Sequence, residues 1–298
     1  MAVGNPGPAD SDLRAAPSGH RTAEQAIFWY GCNMTRHGEV IRATARLLEA
    51  VGVEASPRGG PASCCGSPKD ANARINEGMA RRTIEAFNAT GHGTVVTWCP
   101  SCHMNMQDSM APVTPTNFET VHVTEVLHAR RDALRPLLTR PVPARVLLHA
   151  HLGFNGSVPV NGLVPDLLRL IPGLDVIEHP YRAPGHMCSS LAAVSGALAD
   201  AQRATLAAMA EAGADTLCTI FHSCHRECVV LEQNYPVRVV NWVHLLAWSA
   251  GWEAEDGYKA MRNAADPRAA LGEALVEAAG EVPFTRLVKP ELRKPPAI

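Results

Sequence analysis

No charge of one sign is in excess: 27 Lys and Arg stand against 29 Asp and Glu in 298 residues, a net charge of -2. That balance gives no electrostatic reason to recruit nucleic acid or an acidic membrane surface, so neither is expected as a partner. Long apolar runs are also missing. The most apolar stretch, residues 239–252, contains Asn241 and His244 and is shorter than the roughly 20 residues a spanning helix needs. The opening 25 residues have no basic segment followed by an apolar core, so they do not read as a secretory signal. A cytoplasmic protein is expected, associated with a membrane only through a partner.

What is present is enough apolar material for a substantial core: 46% hydrophobic residues with 19% charged, in a length suited to one large domain or two ordinary ones. Nine cysteines then need an explanation. In the cytoplasm structural disulfides are disfavoured, and clustered cysteines more often bind metal or do redox chemistry.

Two segments share one order of elements, which predicts an internal duplication. The first has a strand over 26–30, a helix with apolar residues at Val40, Ile41, Leu47, Leu48 and Val51, a short strand near Val53, and Cys64-Cys65-Gly66 in a loop. A helix carrying Ile75, Met79, Ile84 and Phe87 follows, then a strand over 94–98 that runs into Cys99-Pro100-Ser101-Cys102. The second repeats the plan with strands over 146–149, 175–178 and 216–221 and helices over 163–170 and 196–212. Ser101-Cys102-His103 aligns with Ser223-Cys224-His225, and apolar helices over 123–128 and 242–248 close the two copies. Alternating strands and helices imply parallel sheets with covered faces. The expected fold is therefore α/β, two duplicated modules with small parallel sheets related by a pseudo-two-fold. The expected boundaries are a disordered leader at 1–25, a first module at 26–140, a second at 141–255, and a C-terminal helix with a Pro-rich tail at 256–298, unstructured after Pro283.

In the first module Cys32, Cys64, Cys65, Cys99 and Cys102 each follow a predicted strand or lie in a loop beside one. Loops at the carboxyl ends of parallel strands converge on one sheet edge, where α/β folds place their sites. Thiolate suits iron-sulfur clusters, zinc or copper(I). The ligands are one too many for tetrahedral zinc and too dispersed for a zinc ribbon or an ordinary ferredoxin run. A thioredoxin-like use of Cys99-Pro100-Ser101-Cys102 would leave the other three cysteines unexplained.

The order Cys, then Cys-Cys-Gly, then Cys-x-x-Cys, carried by Cys32, Cys64-Cys65-Gly66 and Cys99/Cys102, resembles the CCG or cysteine-rich domain, which is typically duplicated in one of the subunits of heterodisulfide reductase. The resemblance covers roughly residues 26–252. It implies that Cys32, Cys64, Cys65, Cys99 and Cys102 hold one noncubane [4Fe-4S] cluster whose exposed iron takes a sulfur of the substrate. It also implies redox chemistry on a disulfide, persulfide or protein-bound sulfur, including in the oxidative direction of sulfur oxidation. The chain lacks the close-spaced cysteine runs of a ferredoxin. Electrons are therefore expected to pass to or from ferredoxin-like and flavin-containing subunits, with a thiol, disulfide or sulfur carrier as substrate.

The second copy departs from that pattern. It reads Ala150-His151-Leu152-Gly153, Met187-Cys188-Ser189, and Phe221 where the first cysteine of Cys-x-x-Cys should stand. Two of five ligands remain, so a second cluster is not expected. A packed pocket, a zinc or other metal site built on Cys188, Cys224 and His151 or other histidines, and a reactive thiol pair all stay open there. Cys228 falls one turn beyond Cys224 on the same face. Cys218 reads as core, and His122 and His244 as groups satisfied in helix caps or at the surface. Trp242, Trp248 and Trp252 read as core more than as a docking face. Two other functions keep the fold: an electron-transfer subunit of a quinone-linked succinate/fumarate or glycolate/lactate dehydrogenase, which predicts an exposed apolar patch at 242–252, and a non-catalytic, zinc-stabilised assembly subunit.

Overall fold

The computed structural model describes residues 24–66 and 73–292. The first module runs β1 (Glu24–Gly31), a 3-10 turn (Asn33–Arg36), α1 (Gly38–Ala50), β2 (Val53–Gly59) and, past the double-cysteine loop, α2 (Ala73–Asn88). It continues through β3 (Thr94–Thr97), α3 (Pro100–Asn105), β4 (Glu119–His122), α4 (Val123–Ala129) and α5 (Arg131–Leu134). The second module runs β5 (Ala144–His149), α6 (Val160–Leu168), β6 (Leu174–Ile177), α7 (Cys188–Ala192) and α8 (Ala197–Ala212). Then come β7 (Thr216–Thr219), α9 (His222–Cys228), β8 (Arg238–Asn241) and α10 (Trp242–Ser249). Four short helices follow: α11 (Gly257–Asn263), α12 (Pro267–Leu271), α13 (Glu273–Ala279) and α14 (Glu281–Pro283).

Each module builds a four-stranded, all-parallel sheet, in the orders β2-β1-β3-β4 and β6-β5-β7-β8. A parallel sheet needs crossovers that cover its faces, and the central strand shows the result: Ala26, Ile27, Phe28 and Trp29 have no exposed surface. The duplication reaches individual hydrogen bonds. Thr97 Oγ1 lies 2.8 Å from His103 Nδ1 and donates to the Val121 carbonyl, while Thr219 Oγ1 lies 3.2 Å from His225 Nδ1 and donates to the Val240 carbonyl. His122 caps α4 and contacts the Trp98 carbonyl through Nε2, just as Asn241 caps α10 and donates to the Ile220 carbonyl.

One core spans both modules. Trp98, at the end of β3, stacks on Trp242 with centroids 5.7 Å apart, and Phe154 lies edge-on to His122 and Phe221. Trp242 is buried. Trp252 lies under the Arg46 guanidinium, and Trp248 lies under Arg238 and donates to the Ala254 carbonyl. These tryptophans are packing groups, and they form no exposed apolar patch.

Three expectations are corrected. The chain after Pro283 is helical through Leu292, because Glu291 accepts from Tyr258 and pairs with Arg36 of the first module, which ties the segment down. Ile75 is exposed, since it sits in the first turn of α2 ahead of the face that packs. His244 is neither a cap nor a surface group: it is fully buried with neither ring nitrogen hydrogen-bonded, 3.9 Å from Asp256. Most of the expected leader lies outside the described residues, and Glu24 and Gln25 already pair with Val53 and Glu54.

Candidate metal centres at the sheet edges

The first cysteine set is assembled by three strand ends. Gly31 closes β1 at φ +80, and a Cβ there would stand 3.1 Å from Cys102 Sγ and 3.3 Å from Cys99 Cβ. Only glycine lets the chain bend here with Cys99 and Cys102 pressed against the strand end. Cys32 comes next and is half-buried, whereas Cys64, Cys65, Cys99 and Cys102 are buried. Cys99 follows β3 and caps α3, and Pro100 occupies the first helical position, where its missing N–H costs nothing.

The Cys64-Cys65 loop is anchored from both sides. Trp29 Nε1 donates to the Ser63 carbonyl at 2.8 Å, Thr83 Oγ1 to the Cys64 carbonyl at 3.1 Å, and Asn105 Nδ2 to the Cys65 carbonyl at 2.7 Å. Gly66 turns the chain at φ +86 with its N–H directed at Cys64 Sγ, and a Cβ there would fall 2.1 Å from Asn76 Oδ1. Cys64 Sγ and Cys32 Sγ are 3.7 Å apart. Hydrogen bonding to Cys64, then burial and the neighbouring sulfurs, push Cys32 far up, whereas the Cys102 thiol, with backbone N–H groups of Ser101 and Cys102, pulls Cys99 down against its burial. The five sulfurs thus lie close enough to interact with one another and form an all-sulfur donor set at one sheet edge.

The second module brings a different set together. His149, at the end of β5, and His151, two residues on, meet Cys188 at the start of α7 and Cys224 in α9. All four are buried, with their ligand atoms within 4.8 Å of one another. His149 Nε2 is 3.1 Å from Cys188 Sγ, and His151 Nε2 is 3.7 Å from Cys188 Sγ and 3.3 Å from Cys224 Sγ. Against its burial, Cys228 and Cys224 raise His149 to about 10. Hydrogen bonding with Cys188, against burial and aided by His149, lowers Cys228 to about 6.

The sequence-predicted Cys188, Cys224 and His151 are thus brought together, and Cys228 joins them from one turn along α9. His149 was missed as a site residue because it reads as a strand end. The available signal was its spacing: His149-Ala150-His151 puts two imidazoles on one side of an extended chain. The other histidines of this module go elsewhere. His225 bonds Asp256 at 2.7 Å, and His222 and His225 pack against the His37 ring. His186 meets Ser101 Oγ at 2.9 Å, so the residue between Cys99 and Cys102 touches the second module. Cys218 is core, and burial alone pushes its thiol up.

Residues 26–107 match the family model described as the cysteine-rich domain, CCG. The first module therefore carries a CCG cysteine-rich domain, a type found in redox-associated subunits. No curated protein matches the chain. Among solved structures, aspartate racemase from Picrophilus torridus is 12% identical at a TM-score of 0.32, covering 79% of this chain and 98% of its own. A putative Asp/Glu racemase from Yersinia pestis is 9% identical at 0.36, covering 76% and 98%. An arylmalonate decarboxylase is 18% identical at 0.25, covering 78% and 96%. Likeness at this level assigns neither fold nor activity. No helix among the described residues is long and apolar enough to cross a membrane.

Proposed function

We propose that this chain is the iron-sulfur subunit of a heterodisulfide-reductase-like complex, acting on a disulfide, persulfide or protein-bound sulfur. The observation that carries the reading is the convergence of Cys32, Cys64, Cys65, Cys99 and Cys102 at the end of one sheet, with four members buried and Cys32 half-buried. The donor set fits a thiolate-bound cluster: it is all sulfur, one ligand more than a single tetrahedral ion uses, and it is fixed by glycine turns and carbonyl anchors. When bound, a noncubane [4Fe-4S] cluster would supply single-electron steps and an iron open to a substrate sulfur. The chain's own residues hold the donors, keep water from four of them, and leave the Cys32 side approachable.

Electrons would be exchanged with ferredoxin-like and flavin-containing partners, in keeping with the absence of a ferredoxin cysteine run in this chain. Burial of Trp242 and the arginine cover on Trp248 and Trp252 remove the apolar patch that would favour docking to a quinone-linked dehydrogenase. The test is iron and acid-labile sulfide content of protein purified without oxygen, with electron paramagnetic resonance spectra before and after thiol addition under mild oxidation. About four iron and four sulfide per chain, with a spectrum that changes on thiol addition, is the expected result. Zinc alone, with no labile sulfide, would move the assignment to a structural subunit.

A further inference from the structure

We propose that His149, His151, Cys188 and Cys224 bind a single zinc ion, a closed structural site in the second module that is separate from the five-cysteine site. It goes beyond the functional reading above and does not depend on it. Distance is the first ground. Tetrahedral zinc with ordinary Zn–S and Zn–N bonds sets neighbouring nitrogen and sulfur ligands about 3.6 Å apart, and the three nitrogen–sulfur contacts here are 3.1, 3.7 and 3.3 Å. A two-iron cluster with histidines on one metal and cysteines on the other would separate every nitrogen from every sulfur by an additional metal–metal spacing. Here nitrogen and sulfur touch, so the set closes around one ion.

The second ground is the orientation of the two rings. His151 Nδ1 donates to the Pro184 carbonyl, which can only accept, at 2.9 Å, and this turns Nε2 toward both sulfurs. Thr205 donates its hydroxyl proton to the Ala201 carbonyl at 2.7 Å, so its oxygen accepts from His149 Nδ1 at 3.4 Å and turns His149 Nε2 toward Cys188 Sγ. Two buried imidazoles, each fixed at Nδ1 and turned to the same sulfurs through Nε2, are how metal-binding histidines are held.

Charge and access settle the kind of site. Two thiolates neutralise one divalent cation, and a set of two nitrogen and two sulfur donors suits zinc. All four residues are at most 2% exposed, which leaves no open position for water or substrate, so the ion's role is structural. Binding joins β5, α7 and α9 across 75 residues of chain from His149 to Cys224. The first module ties the matching loops with its five cysteines. Cys228, also buried, hydrogen-bonds within the sulfur cluster and supports it without being one of the four ligands.

The test uses the full-length protein. Zinc is counted by elemental analysis, and the protein depleted of zinc is then titrated with cobalt(II), whose visible spectrum reports tetrahedral thiolate coordination. One zinc per chain, replaceable by one cobalt with thiolate-to-metal bands, is expected. Cys224→Ser and His151→Ala should lose zinc while keeping iron. A Cys64→Ser/Cys65→Ser variant should lose iron while keeping zinc, so failure of one site does not mask the other. Thr205→Val, which removes the His149 anchor without changing a ligand, should weaken cobalt binding by about 10 to 100-fold and covers the case in which ligand variants do not fold. The proposal is overturned if the wild-type protein holds no zinc and takes up no cobalt. It is equally overturned if zinc disappears in the Cys64/Cys65 variant but not in Cys224→Ser, or if labile sulfide persists in the Cys64/Cys65 variant, which would mean iron-sulfur in the second module.

Discussion

Mild acid should unfold this protein well before its carboxylates protonate. His37, His122, His222 and His244 are buried neutral imidazoles, and burial, with nearby cations or rings adding to it at several of them, lowers His37, His122 and His222 to about 3 and His244 to about 4. In the unfolded chain each would titrate near its ordinary value of about 6.5. Between those values the unfolded state binds the extra proton, so stability is fully present above about pH 6.5 and falls as the pH drops. From pH 7 to 5.5 each histidine costs about 1.2 kcal/mol, and the four together about 5 kcal/mol; by pH 5 the loss is about 7 to 8 kcal/mol. That is comparable to the whole stability of an ordinary domain, about 5 to 15 kcal/mol. Glu39 and Glu125, which burial raises, and His149, which Cys228 and Cys224 raise against its burial, have the opposite sign and offset part of this loss. The assay is urea unfolding by far-UV circular dichroism at half-unit steps from pH 7.5 to 5. His122→Asn isolates one contributor, because Asn241 already performs the same capping and carbonyl contact in the second module. The variant should lose about 1 kcal/mol less than wild type between pH 7 and 5.5. A stability that is flat across this range, or a wild-type slope retained in His122→Asn, would refute the burial account.

Replacing both Cys64 and Cys65 with Ser should abolish iron binding, whereas Cys188→Ser should leave iron content unchanged; full iron retention in the double variant, by elemental analysis, would dismiss the ligand assignment. Gly66→Ala forces a side chain into a left-handed backbone and onto Asn76, at a cost of at least about 1 to 2 kcal/mol, and should reduce iron occupancy of the neighbouring loop in anaerobic preparations. Asp256 holds buried His225 at 2.7 Å and caps α11 by accepting from Lys259 N. Asp256→Ala should therefore destabilise by about 1 to 3 kcal/mol, seen as a lower urea midpoint at pH 7.5, and a change under about 0.5 kcal/mol would show that the contact is not needed.

Much of this molecule is legible in the chain. The strands over 26–30, 94–98, 146–149 and 216–221 are read correctly because all four are short apolar runs ending in turn or cysteine motifs, and the repeat of Ser-Cys-His announces the duplication. The first cysteine set is legible because five residues of one rare reactive type recur at strand ends, which the parallel-sheet rule brings together. Errors occur where partners lie far off in sequence. The segment after Pro283 looks like a polar tail because its anchors, Tyr258 and Arg36, lie outside it. His244 looks like a capping group until α10 buries it beside Asp256.

The sequence by itself determined the duplication, the parallel α/β class and the five-cysteine motif, since each follows from local periodicity or from spacing along the chain. Only the tertiary structure decided what the degenerate module holds. Cys188 and Cys224 are two thiols of unstated use in one dimension, and His149 is one more strand residue. Packing α7 and α9 against the end of β5 places the two imidazoles on those sulfurs, and Pro184 and Thr205 fix which nitrogen each ring offers. Coordination depends on distances of a few ångströms between groups up to 75 residues apart, and nothing in local sequence sets those distances.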